Sequence, residues 1–176
     1  INILLEATQG VLKVFATDLE VSLTDQIKAN IFEEGKVAIS AKNLFDISKE
    51  LSEAPITLIK KDNNWLEIKQ GKYTSKIVGI SADEYPIFPT YNSQSFMNIN
   101  SAILKEMIDK TIYSVSNDET RYHLNGVYFE VSDKNEFKMV GTDGHRMSLI
   151  NKKSPNSKVT INQGVIIPRK GLNEIK

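Results

Sequence analysis

The chain has 176 residues, 22 Lys and Arg against 22 Asp and Glu, and no cysteine. This excludes a disulfide framework, a thiolate nucleophile and a Cys-based zinc site, and the two histidines, His123 and His145, are too few for a three-His catalytic zinc. A formal charge of zero removes global steering toward a polyanion, and no apolar run approaches the roughly 18 residues of a membrane span, so the chain reads as soluble. It opens at Ile1 inside the apolar run Ile3-Leu4-Leu5 with no initiator Met or signal sequence, which reads as a truncation.

Period-two alternation of apolar residues, the mark of a half-buried strand, dominates. It predicts strands at Asn2–Ala7, Val11–Ala16, Glu20–Ala29, Lys36–Ser40, Ile56–Lys60, Trp65–Gln70 and Tyr73–Val78. A second series is predicted at Phe96–Asn100, Gly126–Val131, Phe137–Gly141, His145–Asn151 and Val165–Pro168. Gly10, Gly35 and Asp62-Asn63-Asn64 supply turn chemistry, so the sheets are expected to be largely antiparallel. Two segments switch to helical spacing. Leu44, Ile47 and Leu51 form a stripe after Ser40, a predicted N-cap, and Ile103, Leu104, Met107, Ile108 and Ile112 form another after Asn100 or Ser101. Ala82–Gln94 carries Pro86 and Pro89 without alternation and is expected to be an extended linker, ending a first domain at about residue 94. The expected class is α+β, with domains at 1–94 and 95–176.

An internal repeat is the most informative pattern. Leu12-Lys13-Val14-Phe15-Ala16-Thr17-Asp18 is echoed by Phe137-Lys138-Met139-Val140-Gly141-Thr142-Asp143, 125 residues on. The stretch from Ile39 to Ile47 is echoed from Ile167 to Ile175, 128 residues on. Such a spacing is far longer than a solenoid period and implies duplication of a whole domain, with both ends of the chain cut.

Three motifs invite chemistry. Thr142-Asp143-Gly144-His145-Arg146 gathers a carboxylate, an imidazole and a guanidinium, which would suit a hydrolase using Asp143 and His145 as acid and base. Thr17-Asp18 stands at the same place in the first repeat without His or Arg, so the shared pair also reads as a hairpin device whose Asp accepts backbone N–H groups. Arg121-Tyr122-His123-Leu124-Asn125-Gly126 reads as a turn or a partner-contacting loop. Arg169-Lys170 after Pro168 offers two cations to phosphates or opens a solvated helix. Phosphate-cradling glycine motifs are missing, and a strand-rich scaffold module remains a further alternative.

Four stretches, Ala16-Thr17-Asp18-Leu19-Glu20, Thr120 to Gly126, Gly141 to Arg146 and Ile167 to Gly171, closely resemble the bacterial DNA polymerase III β subunit, the sliding clamp. The resemblance implies a duplicated clamp fold, antiparallel sheets outside and helices on the DNA-facing side. Each protomer would have three similar domains, and two protomers would close head to tail around duplex DNA. On this reading the chain lacks the opening of domain one, the end of domain two and all of domain three. It also implies a non-catalytic processivity factor with no cofactor and no metal, cytoplasmic and nucleoid-associated, without membrane contact. The implied partners are double-stranded DNA, held topologically, and proteins bearing short linear motifs: the DNA polymerase III α subunit, the clamp loader, repair polymerases and mismatch repair proteins.

Carried over residue by residue, the family's partner-peptide pocket falls on Arg121, Leu124, Thr142, Gly144, His145, Arg146 and Met147, where the family usually has leucine at the position of Met147. The DNA-facing cations would be Arg169 and Lys170, with Lys42, Lys49, Lys105 and Lys110 behind them, on helices whose Asp46, Glu50, Glu106 and Asp109 balance the charge. The edge strand with Tyr73, Ser75, Ile77 and Ile80 would form the dimer interface.

Overall fold

The computed structural model describes residues 1–87, 96–118, 120–132, 136–153 and 164–176. The chain divides into two compact units, Ile1–Pro89 and Thr90–Lys176. Among the described residues no helix is long and apolar enough to cross a membrane.

In the first unit, alternating sequence becomes strands β1 (Asn2–Thr8), β2 (Val11–Thr17), β3 (Ser22–Lys28) and β4 (Gly35–Ser40), followed directly by helix α1 (Ala41–Glu50). Strands β5 (Thr57–Lys60), β6 (Leu66–Gln70), β7 (Tyr73–Ile77) and β8 (Gly79–Ile80) complete it. The strands pair antiparallel in a five-stranded sheet, β3-β2-β1-β4-β8, and a three-stranded sheet, β5-β6-β7. Leu5 stands opposite Val14 on one side and Val37 on the other, so one face of the sheet collects the apolar residues. That face meets Leu66, Ile68 and Ile77 of the smaller sheet in a core that Leu44 and Ile47 of α1 also touch. Ser40 caps α1 as expected, its hydroxyl accepting the Asn43 N–H at 3.3 Å.

In the second unit helix α2 (Ser101–Asp109) precedes β9 (Gly126–Val131), β10 (Glu136–Thr142), β11 (Met147–Lys153), β12 (Val165–Pro168) and helix α3 (Arg169–Ile175). The sheet order is β11-β10-β9-β12, again antiparallel. The order β9-β10-β11-β12-α3 repeats β1-β2-β3-β4-α1 strand for strand, as the sequence echo requires. Met107 and Ile108 of α2, Leu172 of α3, and Phe129, Phe137 and Met139 of the sheet fill this core. Asn100 is the α2 cap, its side chain accepting the Ala102 and Ile103 N–H groups.

The structure departs from the sequence-based expectations at particular places. Phe96–Asn100 is not a strand: Met97 and Ile99 alternate because they pack on the second core. The α2 helix stops at Asp109, and Ile112 lies in a separate 3-10 turn, Ile112–Ser114, after Thr111 turns its hydroxyl back onto the Met107 carbonyl at 2.7 Å. The expected linker does not begin at Ala82. Residues Ala82–Glu84 form a 3-10 turn, and Tyr85 is buried with its hydroxyl donating to the Phe15 carbonyl at 3.0 Å; residues 88–94 of that linker lie outside the described residues. Gly35 makes no turn but opens β4, while the β1-β2 hairpin reverses on Gln9 and Gly10, both at positive φ.

One contact fixes the second unit's hairpin against its helical segment. The Thr111 carbonyl lies 2.3 Å from the place a Cβ on Gly141 would occupy, and the Ser148 hydroxyl donates to the same carbonyl at 3.2 Å. The repeat has Ala16 where the second unit has Gly141. A Gly141→Ala change is therefore expected to destabilise the second unit by about 1–3 kcal/mol, since backbone must shift to admit the methyl. Urea unfolding checks this, with Gly35→Ala, whose Cβ meets nothing within 4 Å, as the control.

Candidate functional site

The site begins with a turn problem. A tight reversal between β10 and β11 leaves several backbone N–H groups without strand partners, and these must find acceptors. Thr142 and Asp143 supply them. The Thr142 hydroxyl accepts the Gly144 N–H at 3.1 Å and donates to the Arg146 carbonyl at 2.7 Å. Asp143 Oδ1 accepts the N–H groups of His145 (2.9 Å) and Arg146 (3.0 Å), and its Oδ2 accepts Arg146 Nε at 3.0 Å.

The first unit builds the same turn. Thr17 takes the Leu19 N–H at 3.0 Å and donates to the Val21 carbonyl at 3.2 Å, and Asp18 Oδ1 takes the Glu20 and Val21 N–H groups. The third turn residue has positive φ in both copies: 77° at Leu19 and 90° at Gly144. Glycine adopts this conformation freely, whereas leucine pays a steric cost there. The shared Thr-Asp is thus a structural device.

This geometry settles what Asp143 can do. Hydrogen bonds from the backbone N–H groups of His145 and then Arg146, followed by the Arg146 guanidinium, hold its carboxyl at about 2. A general acid or base for neutral pH needs a pKa near the working pH and a free lone pair. The Asp143 pKa lies far below neutrality, three of its lone pairs are already taken, and it binds His145 through the backbone N–H rather than through the ring, so the Asp-His hydrolase reading is withdrawn. Among the described residues no group of three His, Asp or Glu side chains could hold a metal.

The Arg121 loop is built from the other direction. Asp118 accepts the Thr120 N–H and hydroxyl, and its backbone carbonyl accepts the Arg121 N–H at 3.1 Å. Arg121 in turn accepts from Leu124 (2.7 Å) and Asn125 (3.1 Å). The loop is tied to its surroundings by Ser116 N–H to the Leu124 carbonyl (2.9 Å) and Arg169 N–H to the Asn125 carbonyl (3.1 Å). The structure brings this loop to the turn: Arg121 Nη2 lies 3.5 Å from the Cβ position of Gly144. Thr142, Gly144, His145, Arg146 and Met147 then follow along the turn into β11. Leu124 is half-buried, whereas His145 is exposed and Met147 is 68% exposed. An apolar side chain so open at the start of β11, next to a turn that carries Arg146 and is approached by Arg121, is suited to receive a ligand with apolar and acidic or carbonyl groups.

The cations proposed from the sequence differ in circumstance. Lys42, Lys105, Lys110 and Lys170 are exposed, while Arg169 is half-buried at the start of α3. Lys49 is ion-paired with Asp46 at 3.4 Å and sits 4.0 Å over the Phe45 ring centroid. The Phe45 to Lys49 spacing of four residues on one helix face was the signal for this pair, and the sequence reading passed over it. It also passed over Thr111 and Ser148, whose contact brings β11 to the helical segment. Nothing in their local pattern marks them, because the contact spans 37 residues.

The edge-strand residues need correction. Strand β7 is the edge of the three-stranded sheet, and Tyr73 is exposed on it, with Ser75 half-buried. Ile77, on the same face two pleats on, is 2% exposed inside the first core, so its side chain is withdrawn as a surface contact. Ile80 belongs to β8, the edge of the other sheet, where it pairs with Ala38.

Two measurements check the turn. The Asp143 carboxyl has a folded pKa below its ordinary value, so its contribution is complete above about pH 4 and is lost as the pH falls toward 2. The stability deficit of Asp143→Asn should accordingly be constant from neutral pH down to about pH 5 and shrink below about pH 4; a deficit that disappears near neutrality contradicts the assignment. Leu19→Gly should stabilise the first unit by about 1 kcal/mol, because glycine relieves the left-handed strain at an exposed position.

Comparison with known proteins agrees with this plan. A family model for the DNA polymerase III beta subunit, N-terminal domain, matches residues 1–89, and one for the central domain of that subunit matches residues 98–176. The beta sliding clamp of Rickettsia felis is 34% identical over 179 residues, covering 99% of this chain and 45% of the relative. That of Caulobacter vibrioides is 34% identical over 180 residues, covering 99% and 48%. Among solved structures, the DNA polymerase sliding clamp from Caulobacter crescentus matches with a TM-score of 0.85 at 31% identity, covering 98% of this chain and 48% of that one. The DNA polymerase III subunit beta from Pseudomonas aeruginosa matches at 0.84 and 28%, covering 99% and 48%. The chain thus spans about half the length of the relatives it matches. Its antiparallel sheets and overall fold match those of solved sliding clamps, and the chain belongs to the DNA polymerase III beta subunit family, the beta sliding clamps.

Proposed function

We propose that the protein carrying this chain is a DNA sliding clamp, a non-catalytic processivity factor that tethers the replicative polymerase to duplex DNA. The observation that carries this reading is the succession of two beta-subunit domains on one repeated plan. The first domain takes residues 1–94 and the second 95–176. A clamp holds DNA by encircling it, so its contacts with phosphate need to be weak and exchangeable, and a chain with as many carboxylates as cations suits that demand. The ring is a head-to-tail homodimer, and the backbone edge of β7 with Tyr73 and Ser75 is its interface on the first domain. The protein works in the bacterial cytoplasm, on the nucleoid.

The partner site is the surface where the Arg121 loop meets the Thr142–Met147 turn. Leu124 and Met147 offer apolar area, Arg121 and Arg146 offer donors, and Thr142 and Gly144 hold the turn that presents them. Short linear motifs of the polymerase α subunit, the clamp loader, repair polymerases and mismatch repair proteins dock there. Methionine at Met147, in place of the family's leucine, keeps the surface apolar and makes it more adaptable.

A fluorescent peptide carrying the polymerase's clamp-binding motif, titrated with the chain, tests this. Binding is expected to be weaker than about −8 kcal/mol, the micromolar level. Met147→Asp should weaken it at least about tenfold, or about 1.4 kcal/mol, with an unchanged melting temperature because the side chain is exposed. Equal affinity of the variant and the parent chain contradicts the assigned site.

A further inference from the structure

Resting on the reading of α1 and α2 as DNA-facing, we infer that the two helices grip phosphate unequally: Lys105, Lys110 and Lys42 make the contacts, and Lys49 is held back by its own helix. The difference lies in where each helix finds partners for its carboxylates. On α2 they come from outside. Glu106 is taken by Lys152 of β11 at 2.7 Å, and Asp109 by Lys176 at the end of the chain. Lys105 and Lys110 feel Asp109 only at a distance, behind its contact with Lys176; they make no close ion pair among the described residues and stay exposed, ready to meet a phosphate.

On α1 the partner comes from within. Lys49 lies 3.4 Å from Asp46 one turn back, and its ammonium rests 4.0 Å above the ring of Phe45. Phe45 is 61% exposed, a large ring that core packing does not explain. Its position under Lys49 gives it a role: it holds the ammonium down while Asp46 neutralises it. Reaching a phosphate would mean leaving both, and Asp46 on the same face repels the incoming phosphate. Lys42, one turn before Phe45, has no ion pair among the described residues and remains free. The consequence is a face with fewer working cations than its sequence suggests, and Asp46 and Phe45 set the number.

The test is the affinity of the chain for a fluorescently labelled short DNA duplex over a range of salt concentrations. Each working phosphate contact contributes about 0.9 to the salt slope. Lys105→Ala and Lys110→Ala should each lower the slope by about that amount, while Lys49→Ala leaves it unchanged. Phe45→Leu, which alters no charge, and Asp46→Asn should each raise the affinity and steepen the slope; with Lys49→Ala added the Phe45→Leu gain should vanish, and the Asp46→Asn gain should shrink to what removing one repelling carboxylate gives. All five positions are exposed, and equal melting temperatures confirm that the variants fold alike. A drop for Lys49→Ala as large as that for Lys105→Ala overturns the inference, as does a Phe45→Leu gain that persists without Lys49. A different result identifies failure of the underlying reading: if Lys42→Ala, Lys105→Ala and Lys110→Ala all leave the slope unmoved, neither helix faces DNA.

Discussion

Backbone N–H groups stranded at a tight hairpin reversal are the constraint on which both units rest, and a threonine hydroxyl beside an aspartate carboxylate meets it twice. Because Thr and Asp satisfy the turn from inside, the side chains that follow are free to face outward. In the first unit those residues are Leu19 and Glu20; in the second they are Gly144, His145 and Arg146. The duplicated scaffold stays constant while the residues displayed on it diverge. Glycine at Gly144 also leaves room for the Arg121 guanidinium, which a side chain there would meet. The same unit replaces alanine with Gly141, and the freed space admits the Thr111 carbonyl. Gly144 thus serves the turn's positive φ and Gly141 the close approach of Thr111, and a plain reversal becomes a composite surface.

Charge is arranged with similar restraint. Glu67, buried on β6, is clasped by Lys61 at 3.1 Å and Lys69 at 2.9 Å, and their hydrogen bonds, Lys69 first, hold its carboxyl below the ordinary range. Glu130 is held likewise, by the Tyr128 hydroxyl and then by Lys138. Many carboxylates are therefore engaged inside their own unit, and overall neutrality conceals which cations remain available. On the proposed clamp reading, which asks that DNA be held without being gripped, that local accounting matters more than net charge.

Most of the fold was legible because period-two alternation and the helical stripes follow directly from burying one face. The errors share a physical origin. At β3 and β11 the alternation runs back to Glu20 and His145, but Asp18 and Asp143 have taken the N–H groups that pairing would use, so the strands start later, at Ser22 and Met147. At Phe96–Asn100 alternation reports the packing of Met97 and Ile99 on a core, which does not require a strand. Tyr85 is buried through a hydroxyl reaching 70 residues back, and a proline-rich stretch gave no sign of it. Of the site, the Thr-Asp turn was readable from the repeat, because a motif that survives without its His and Arg marks structure. The meeting of Arg121 with Gly144 was not, since nothing local to either position encodes it. The inward aim of Ile77 follows from its pairing with Leu66, which β7 alone, with Tyr73 exposed on the same face, does not reveal.

On the proposed reading these two units belong to a ring that holds DNA by topology rather than by affinity. That reading is tested most directly by loading the intact protein that contains this chain onto nicked circular DNA and measuring what remains bound before and after the circle is cut. Retention on the circle at a salt concentration that abolishes binding to linear duplex, with loss once the DNA is linearised, is the result this account predicts. Equal retention on circular and linear DNA, or release from both in step with rising salt, would contradict it and make the protein an ordinary electrostatic binder.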